Sequence, residues 1–399
     1  MLFLDGVIQS TQLGDEAYHE TLVHPAMFAH YKPKRVAIVG GGEGGTLREV
    51  LKHDTVKHVK MIEIDAGVIE FCREHFPSIN DCSDIIESSG ASCFDDARAD
   101  VICEDATAWF IDNFGEYEEE EEVYDYDYGE YEEEDDDEDR FDVIILDALD
   151  PMYLVPEFAD VLYNDDQFMP SIFNALTDDG VMVIQLGQSP KNYDPDEFMS
   201  QFKKRSEVVA KIGDLAESMH VFEEAHCGFL DPWSFLIACK SKDCRYNFYK
   251  NEAELELAIH RRLRKTYSGG PPLKYFDGAT MKQYQVPSRA WQKMQCKQTP
   301  TPLQCTEFGS INSGFYPNAP HFPSSVLEVK ASSMGENVGR GIFATVDIPK
   351  GALIGQELAG YEVYFSPLAS GVLYSHKISS FIEYIEGYST SAHLQGTFS

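Results

Sequence analysis

The 399-residue chain contains no stretch approaching the ~20 apolar residues of a membrane-crossing helix. It does not open with a basic segment followed by an apolar run, which argues against a secretory leader. Its nine cysteines are odd in number and scattered, with no CxxC pair. Neither a zinc site nor a disulfide framework is therefore indicated, and they read as reduced core or surface thiols. Of the 12 histidines, His24, His30, His53 and His58 show no paired ligand spacing, so no metal is expected. Basic residues are scarce, with 32 Lys and Arg against 68 Asp and Glu and a formal net charge of −36. That balance disfavours nucleic acid, whose binding depends on cationic neutralisation of phosphates. The expected compartment is the cytosol, with neither membrane nor nucleic acid as partner.

Much of the negative charge lies in the block 116–139, which holds no basic residue and is expected to self-repel as a disordered insert. The fold around it tolerates such an insertion because closure entropy grows slowly with loop length. The apolar share of 43% is enough for a substantial core. Within it, Phe141 to Pro151 reads FDVIILDALDP. Val143 to Leu146 suits a parallel strand buried on both faces. Ligands of open α/β sheets sit beyond the carboxyl ends of such strands. Asp147 and Asp150 are thus expected at a binding site, placed to hold a cation.

Arg35 to Gly40 reads as a strand, Gly40-Gly41-Gly42-Glu43-Gly44-Gly45 as a turn, and Thr46 to Lys52 as a helix. Gly40, Gly42 and Gly44 would let a ligand approach the backbone closely. Val59 to Ile64 is a second strand, and Glu63 at its end has the spacing of a ribose-hydroxyl partner. Val101 to Asp105 is a third, with a helix behind it from Ala106 to Asn113. Asp105 is a candidate acceptor for an adenine amino group, walled by Ala106 and Trp109. The bland alternative is that these acids are solvated loop residues.

These residues resemble the aminopropyltransferases, the spermidine, spermine and thermospermine synthases, over about Leu4 to Trp291. The resemblance is carried by Leu4-Asp5-Gly6-Val7-Ile8-Gln9, Asp15-Glu16-Ala17-Tyr18-His19-Glu20, the GGGEGG turn with Leu47-Arg48-Glu49-Val50 and His53, Glu63-Ile64-Asp65, and Asp147-Ala148-Leu149-Asp150-Pro151. Glu43 in place of the family's common Asp, the DALDP wording, Val183 to Gly187 and Asp231-Pro232-Trp233 look closer to the thermospermine branch. The resemblance implies a Rossmann-like, doubly wound α/β fold of the S-adenosylmethionine-dependent methyltransferase type. It implies transfer of an aminopropyl group from decarboxylated S-adenosylmethionine, as cosubstrate, to putrescine or spermidine with release of methylthioadenosine. No metal or tightly bound cofactor is implied. By the family pattern Asp147 is the base and Asp150 anchors another ammonium of the polyamine. Tyr18 and His19 line the amine side and accept or relay the proton, while Gln9 and Gln185 give orienting hydrogen bonds. Glu43 would repel the carboxylate that ordinary S-adenosylmethionine retains. The competing readings are a methyltransferase on the same fold and a degenerate polyamine-binding or scaffold protein. The acidic insert could also attract polyamines or basic proteins through its field.

The loop Ala225 to Leu236 departs from the family pattern, with Cys227-Gly228-Phe229 where Pro-Thr-Tyr or Pro-Ser-Phe is common. Any tyrosine contact from it is expected to be missing, and Asp231 could hold a distal ammonium or cap a turn before Pro232. Relatives carry a small β domain ahead of Leu-Asp-Gly, often used in subunit contact. The sequence opens almost inside that motif, so a possible homodimer is expected to be impaired. Glu252 to Lys265 reads as an amphipathic helix with acids early and bases late. The expected domains are 1–295 for the enzyme, 296–323 as linker and 324–399 as a small β-rich segment. In the last, Gly339 to Thr345, Asp347 to Gly351 and Ile354 resemble the opening of a SET domain, with Ile342–Ala344 and Ala352–Ile354 as a hairpin pair. The sequence stops before any catalytic SET segment, so no lysine methylation is expected.

Overall fold

In the computed structural model the apolar runs line up as neighbouring strands. The structure describes residues 1–285 apart from 5–6, 116–138, 152–161, 164, 191–202, 242–243 and 245–246, together with Trp291 and short strands between 321 and 394. The acidic insert therefore lies outside the described residues, as does most of the segment read as a linker.

Seven strands form one sheet: β3 (Arg35–Gly40), β4 (His58–Glu63), β5 (Ala99–Cys103), β6 (Phe141–Asp147), β7 (Leu176–Gln188), β8 (Ser218–Glu224) and β9 (Trp233–Cys239). Their order is β5-β4-β3-β6-β7-β9-β8. The pairs from β5 to β7 are parallel, and β9 runs antiparallel to both of its neighbours. This is the expected doubly wound α/β class. The strand order reverses between β3 and β6, the switch point where open sheets take ligands. Val143, Ile144, Ile145 and Leu146 are all fully buried, and burying each side chain contributes about 1.5–3 kcal/mol. Their unbroken apolar run reflects coverage of both sheet faces.

Ahead of the sheet stands a hairpin, β1 (Leu2–Leu4) with β2 (Val7–Ser10). It is followed by α1 (Asp15–Ala29), which packs against α2 (Gly45–Leu51) and β7. Helix α1 is buried almost throughout, including its polar residues Asp15, His19, Glu20, Thr21 and His24. A helix polar in composition yet buried needs internal partners. Glu20 has three, accepting the backbone N–H groups of Lys274, Tyr275 and Phe276 at 2.8–2.9 Å. His24 is held between His53 and Glu49, both at 3.0 Å, so these histidines are structural. Helix α3 (Ala66–His75) follows β4, and α4 (Ala106–Phe114) follows β5. The helix expected over Glu252 to Lys265 runs Glu252–Arg262, opened by a capping box between Asn251 and Glu254.

The cysteine expectation is corrected at two places. Cys82–Cys93 and Cys239–Cys244 are disulfides, while Cys72, Cys103 and Cys227 are free. The first pair is aligned by the bridge between Asp81 and Ser92, a tertiary register that spacing alone does not reveal.

The chain divides into two units, Met1–Pro302 and Leu303–Ser399. In the second, Leu327–Ala331 pairs antiparallel with Arg340–Ala344, which also pairs with His393–Leu394. Leu353–Ile354 pairs instead with His321–Phe322. Both segments of the expected hairpin are thus strands, but they take other partners. The SET-like reading rests on its motif alone.

Candidate active site

The register of β3 on β6 sets Gly40 opposite Asp147, which brings the glycine turn to the end of the FDVIILD strand. Gly40 has φ +81, and a Cβ there would lie 2.4 Å from the Asp147 carbonyl oxygen. Only glycine lets the turn pass. A Cβ on Gly42 would lie 2.9 Å from Glu63 Oε2, because Glu63 folds over the turn and accepts the Asp65 N–H at 3.0 Å and the N–H of Gly42. Burial pushes the Glu63 carboxyl upward. Next to it Ile64 is 71% exposed, an apolar surface at a strand end that the sequence reading did not single out.

Asp147 is half-buried. Tyr18 donates to its Oδ1 at 2.8 Å and Thr46 to its Oδ2 at 2.5 Å. One hydroxyl comes from α1 and the other from the first turn of α2, so each oxygen has a fixed donor and the carboxylate cannot rotate freely. Burial and then the Glu43 charge push its pKa from 3.8 to about 6, against the opposing effects of His19 and the two hydroxyls. Burial and the neighbouring Asp147 hold Tyr18 well above its usual 10. Tyr18 is therefore a donor to Asp147 here. Thr46 is a site residue that the sequence reading took only as a helix start.

His19 is buried between two acids. Its Nδ1 lies 2.6 Å from Asp15 Oδ1 and its Nε2 3.3 Å from Glu43 Oε1. Burial opposes its charge, but the two carboxylates prevail and lift it to about 10. In its charged form it donates from both nitrogens. His19, Glu43 and Asp147 also lie close enough to form a ligand set. A second such group is His30, Asp142 and Asp179. His30 Nδ1 accepts the Lys32 N–H at 3.2 Å, leaving the ring proton on Nε2, 3.2 Å from Asp179. Asp15 is held in turn by Arg48 at 3.0 Å, which also binds Glu49 at 2.7 Å.

Asp150 follows in the loop after β6. Burial lifts its pKa to about 6, opposed by a hydrogen bond with Gln185 and by the charge of Arg205. Gln185 on β7 bonds the Ala148 carbonyl at 2.6 Å and accepts from Trp233 Nε1 at 2.9 Å. Trp233 stacks on Phe229, ring centroids 4.2 Å apart, and Phe229 meets the edge of Tyr18 at 5.9 Å. The Cys-Gly-Phe departure thus supplies an aromatic ring beside Tyr18, without a hydroxyl. Gly228 makes this possible: with φ +79, a Cβ would sit 1.7 Å from the Leu13 carbonyl oxygen.

A carboxylate pair, an aromatic wall and a glycine turn with a ribose-type acid therefore converge at one switch point. The family profile described as Spermine/spermidine synthase domain matches residues 15–213. The polyamine aminopropyltransferase of Thermococcus onnurineus (strain NA1) is 33% identical over 240 residues, 60% of this chain and 68% of that protein. The polyamine aminopropyltransferase 1 of Aquifex aeolicus (strain VF5) is 35% identical over 245 residues, 61% and 70% respectively. The chain belongs to the polyamine aminopropyltransferase family. A spermidine synthase crystallised with the transition-state analogue AdoDATO matches with a TM-score of 0.53 and 25% identity, over 73% of this chain and 80% of that one.

Against this aminopropyltransferase frame, the expected site residues fall into two groups. Tyr18, His19, Gly40, Gly42, Glu43, Gly44, Glu63 and Asp147 surround the turn between β3 and α2, and Gln185 lies beside Asp150. The other three sit apart from those hydrogen bonds. Gln9 lies half-buried on β2 and makes no hydrogen bond among the described residues. Asp105 is exposed and caps α4, accepting the Thr107 N–H at 2.8 Å. Asp231 accepts from Gln188 Nε2 in the approach to β9.

Proposed function

We propose that the chain transfers the aminopropyl group of decarboxylated S-adenosylmethionine to an amine of putrescine or spermidine. The observation that carries this reading is Asp147, a carboxylate pinned through both oxygens, raised to about 6, with the equally raised Asp150 three residues on. Two half-buried acids this close in the chain suit a dication or polycation.

In this reading Glu63 takes the ribose hydroxyls and Ile64 the adenine face, with Asp105 offering its remaining oxygen lone pairs to the amino group. Asp150 holds the distal ammonium of the acceptor, and Gln9, Gln185 and Asp231 orient it. The attacking amine, with a pKa of ~10.4 like that of lysine, arrives as an ammonium and must lose a proton to Asp147. A base at about 6 is mostly ionised at neutral pH yet more basic than an ordinary carboxylate. The nitrogen lone pair then forms the N–C bond as the C–S bond breaks. The bonding pair goes to sulfur, and methylthioadenosine leaves as a neutral thioether. Sulfonium is a good leaving group, so alignment of the reactants supplies much of the rate. Tyr18 and Thr46 serve that alignment by fixing Asp147.

Glu43 favours the cationic aminopropyl nitrogen and disfavours a cosubstrate carboxylate, and the His19 imidazolium holds Glu43 in place. The wording Asp147 to Pro151 and Asp231 to Trp233 favours the thermospermine branch and so spermidine as acceptor. A homodimer and a cytosolic location complete the reading. Among the described residues, no helix is long and apolar enough to cross a membrane.

The test incubates the purified full chain with decarboxylated S-adenosylmethionine and either putrescine or spermidine, and detects methylthioadenosine and new polyamine by mass spectrometry. Product from wild type but not from Asp147→Asn supports the reading and identifies the acceptor. Turnover of ordinary S-adenosylmethionine with methyl transfer, or no product from folded protein, would overturn it.

A further inference from the structure

We propose that Asn80 is a positioning residue for the cosubstrate, holding the Glu43–Gly44 part of the glycine turn where the aminopropyl nitrogen is bound. This rests on the aminopropyl-transfer reading and extends it to a residue outside the family motifs. Asn80 comes shortly after helix α3 and is only 2% exposed. A buried amide is costly unless its donors and its acceptor find partners.

The partners of Asn80 lie on three separate segments. Its Nδ2 donates to the carbonyls of Cys72 and Phe76, both at 3.2 Å, and to that of Glu43 at the longer distance of 3.5 Å. Carbonyls only accept, so these three fix which end of the amide is the nitrogen. The first two belong to the last turn of α3 and its cap, and the third to the glycine turn. On the other end, Oδ1 accepts from the Ser92 hydroxyl at 3.0 Å, and the Asn80 carbonyl accepts the Cys93 N–H at 2.8 Å. The Cys82–Cys93 disulfide ties the same two segments together. Contact with the turn is also steric. A Cβ on Gly44 would lie 2.7 Å from Asn80 Cβ and 2.7 Å from Phe94 Cζ, so the turn is seated directly on these two side chains. Next to Asn80, the Ile79 carbonyl accepts from Arg48 Nη1 at 2.7 Å, which joins the segment to α2. Glu43 is thus held at its backbone by Asn80 and at its carboxylate by His19. Without the first anchor the turn can shift, and the carboxylate moves with it.

Asn80→Ala removes the amide, and Ser92→Ala removes only the hydroxyl that its oxygen accepts. The experiment measures calorimetric binding of decarboxylated S-adenosylmethionine and of methylthioadenosine, which lacks the aminopropyl group, to the full chain in wild type and both variants. Initial rates give the KM for cosubstrate and for amine alongside. Expected for Asn80→Ala is roughly a ten-fold loss of affinity for decarboxylated S-adenosylmethionine with a matching rise in its KM. Methylthioadenosine affinity and the KM for the amine should stay within about two-fold of wild type, and Ser92→Ala should show the same selective pattern at about two- to three-fold. Equal losses for decarboxylated S-adenosylmethionine and methylthioadenosine would assign Asn80 to structure only and overturn the proposal, as would unchanged binding of both. If Asn80→Ala does not fold, Ser92→Ala decides by the same comparison. Selective loss of decarboxylated S-adenosylmethionine in the variants, with no aminopropyl transfer by wild type, would sink the transfer reading and leave the role of Asn80 standing.

Discussion

The two raised carboxylates make a quantitative demand on the pH dependence of the reaction. In the proposed mechanism Asp147 accepts a proton and Asp150 holds an ammonium, so both must be ionised. Each is lifted from 3.8 to about 6. The sign follows directly, since activity is complete well above 6 and is lost as pH falls through that value. At pH 5 each group would be about 9% ionised, so the doubly ionised enzyme would fall to about 0.8% and kcat/KM for the amine roughly 120-fold below its plateau. Two ordinary carboxylates at 3.8 would retain about 90% of activity at the same pH. The acceptor binds as an ammonium, so its own pKa of ~10.4 adds no limb between pH 6 and 9. Because the two acids share one site, the limb reports apparent values for the pair.

The assay is initial-rate release of methylthioadenosine at subsaturating amine, from pH 4.5 to 9 at constant ionic strength. A limb near 6 whose slope approaches two is the expected result, and Asp150→Asn should reduce the slope to one while lowering the plateau. A limb near 4, or a slope of one in wild type, would refute the requirement for two raised acids.

Three further outcomes follow from individual contacts. Thr46→Val removes one of the two hydroxyls on Asp147, and loss of a hydrogen bond to a charged group costs about 1.5–3 kcal/mol. Asp147 should then titrate higher, with kcat at pH 6.5 reduced by ~4- to 40-fold and less at pH 8. Glu20→Ala strips the acceptor from three backbone N–H groups and should cost about 3–5 kcal/mol in denaturant unfolding. An unchanged midpoint would mean that the Lys274–Phe276 segment is anchored elsewhere. Gly228→Ala forces a methyl into the Leu13 carbonyl at a left-handed backbone position. Displacement of Phe229 from Tyr18 should raise the KM for the amine more than that for the cosubstrate, and equal effects on both would count against an aromatic amine wall.

The divide between what the sequence revealed and what it hid follows the range of the interactions. Strands β3, β4 and β6 were legible because burial on both faces demands an unbroken apolar run, and their ends were legible because acids and glycines interrupt it. Asp147 and Glu63 could be assigned to the site on that logic alone, since parallel strands deliver their carboxyl ends to one edge. Thr46 could not, because a threonine opening a helix has the same local signature whether or not a carboxylate 101 positions later lies against it. The same holds for Cys82 and Cys93, which lie beside an isolated bridge between Asp81 and Ser92 with no periodic pattern. His19 was legible as a motif residue, but its hydrogen-bond partners were not. Proton affinity is set by the acids around a ring, and of those only Asp15 is near in sequence. With Asp15 and Glu43 on opposite nitrogens the imidazole is driven toward its charged form. The His19 charge opposes the burial and the Glu43 charge that raise Asp147. His19 comes from a helix and Asp147 from the end of β6. The sheet supplies the reacting acids, and the packing of helices against it sets the pH at which they work.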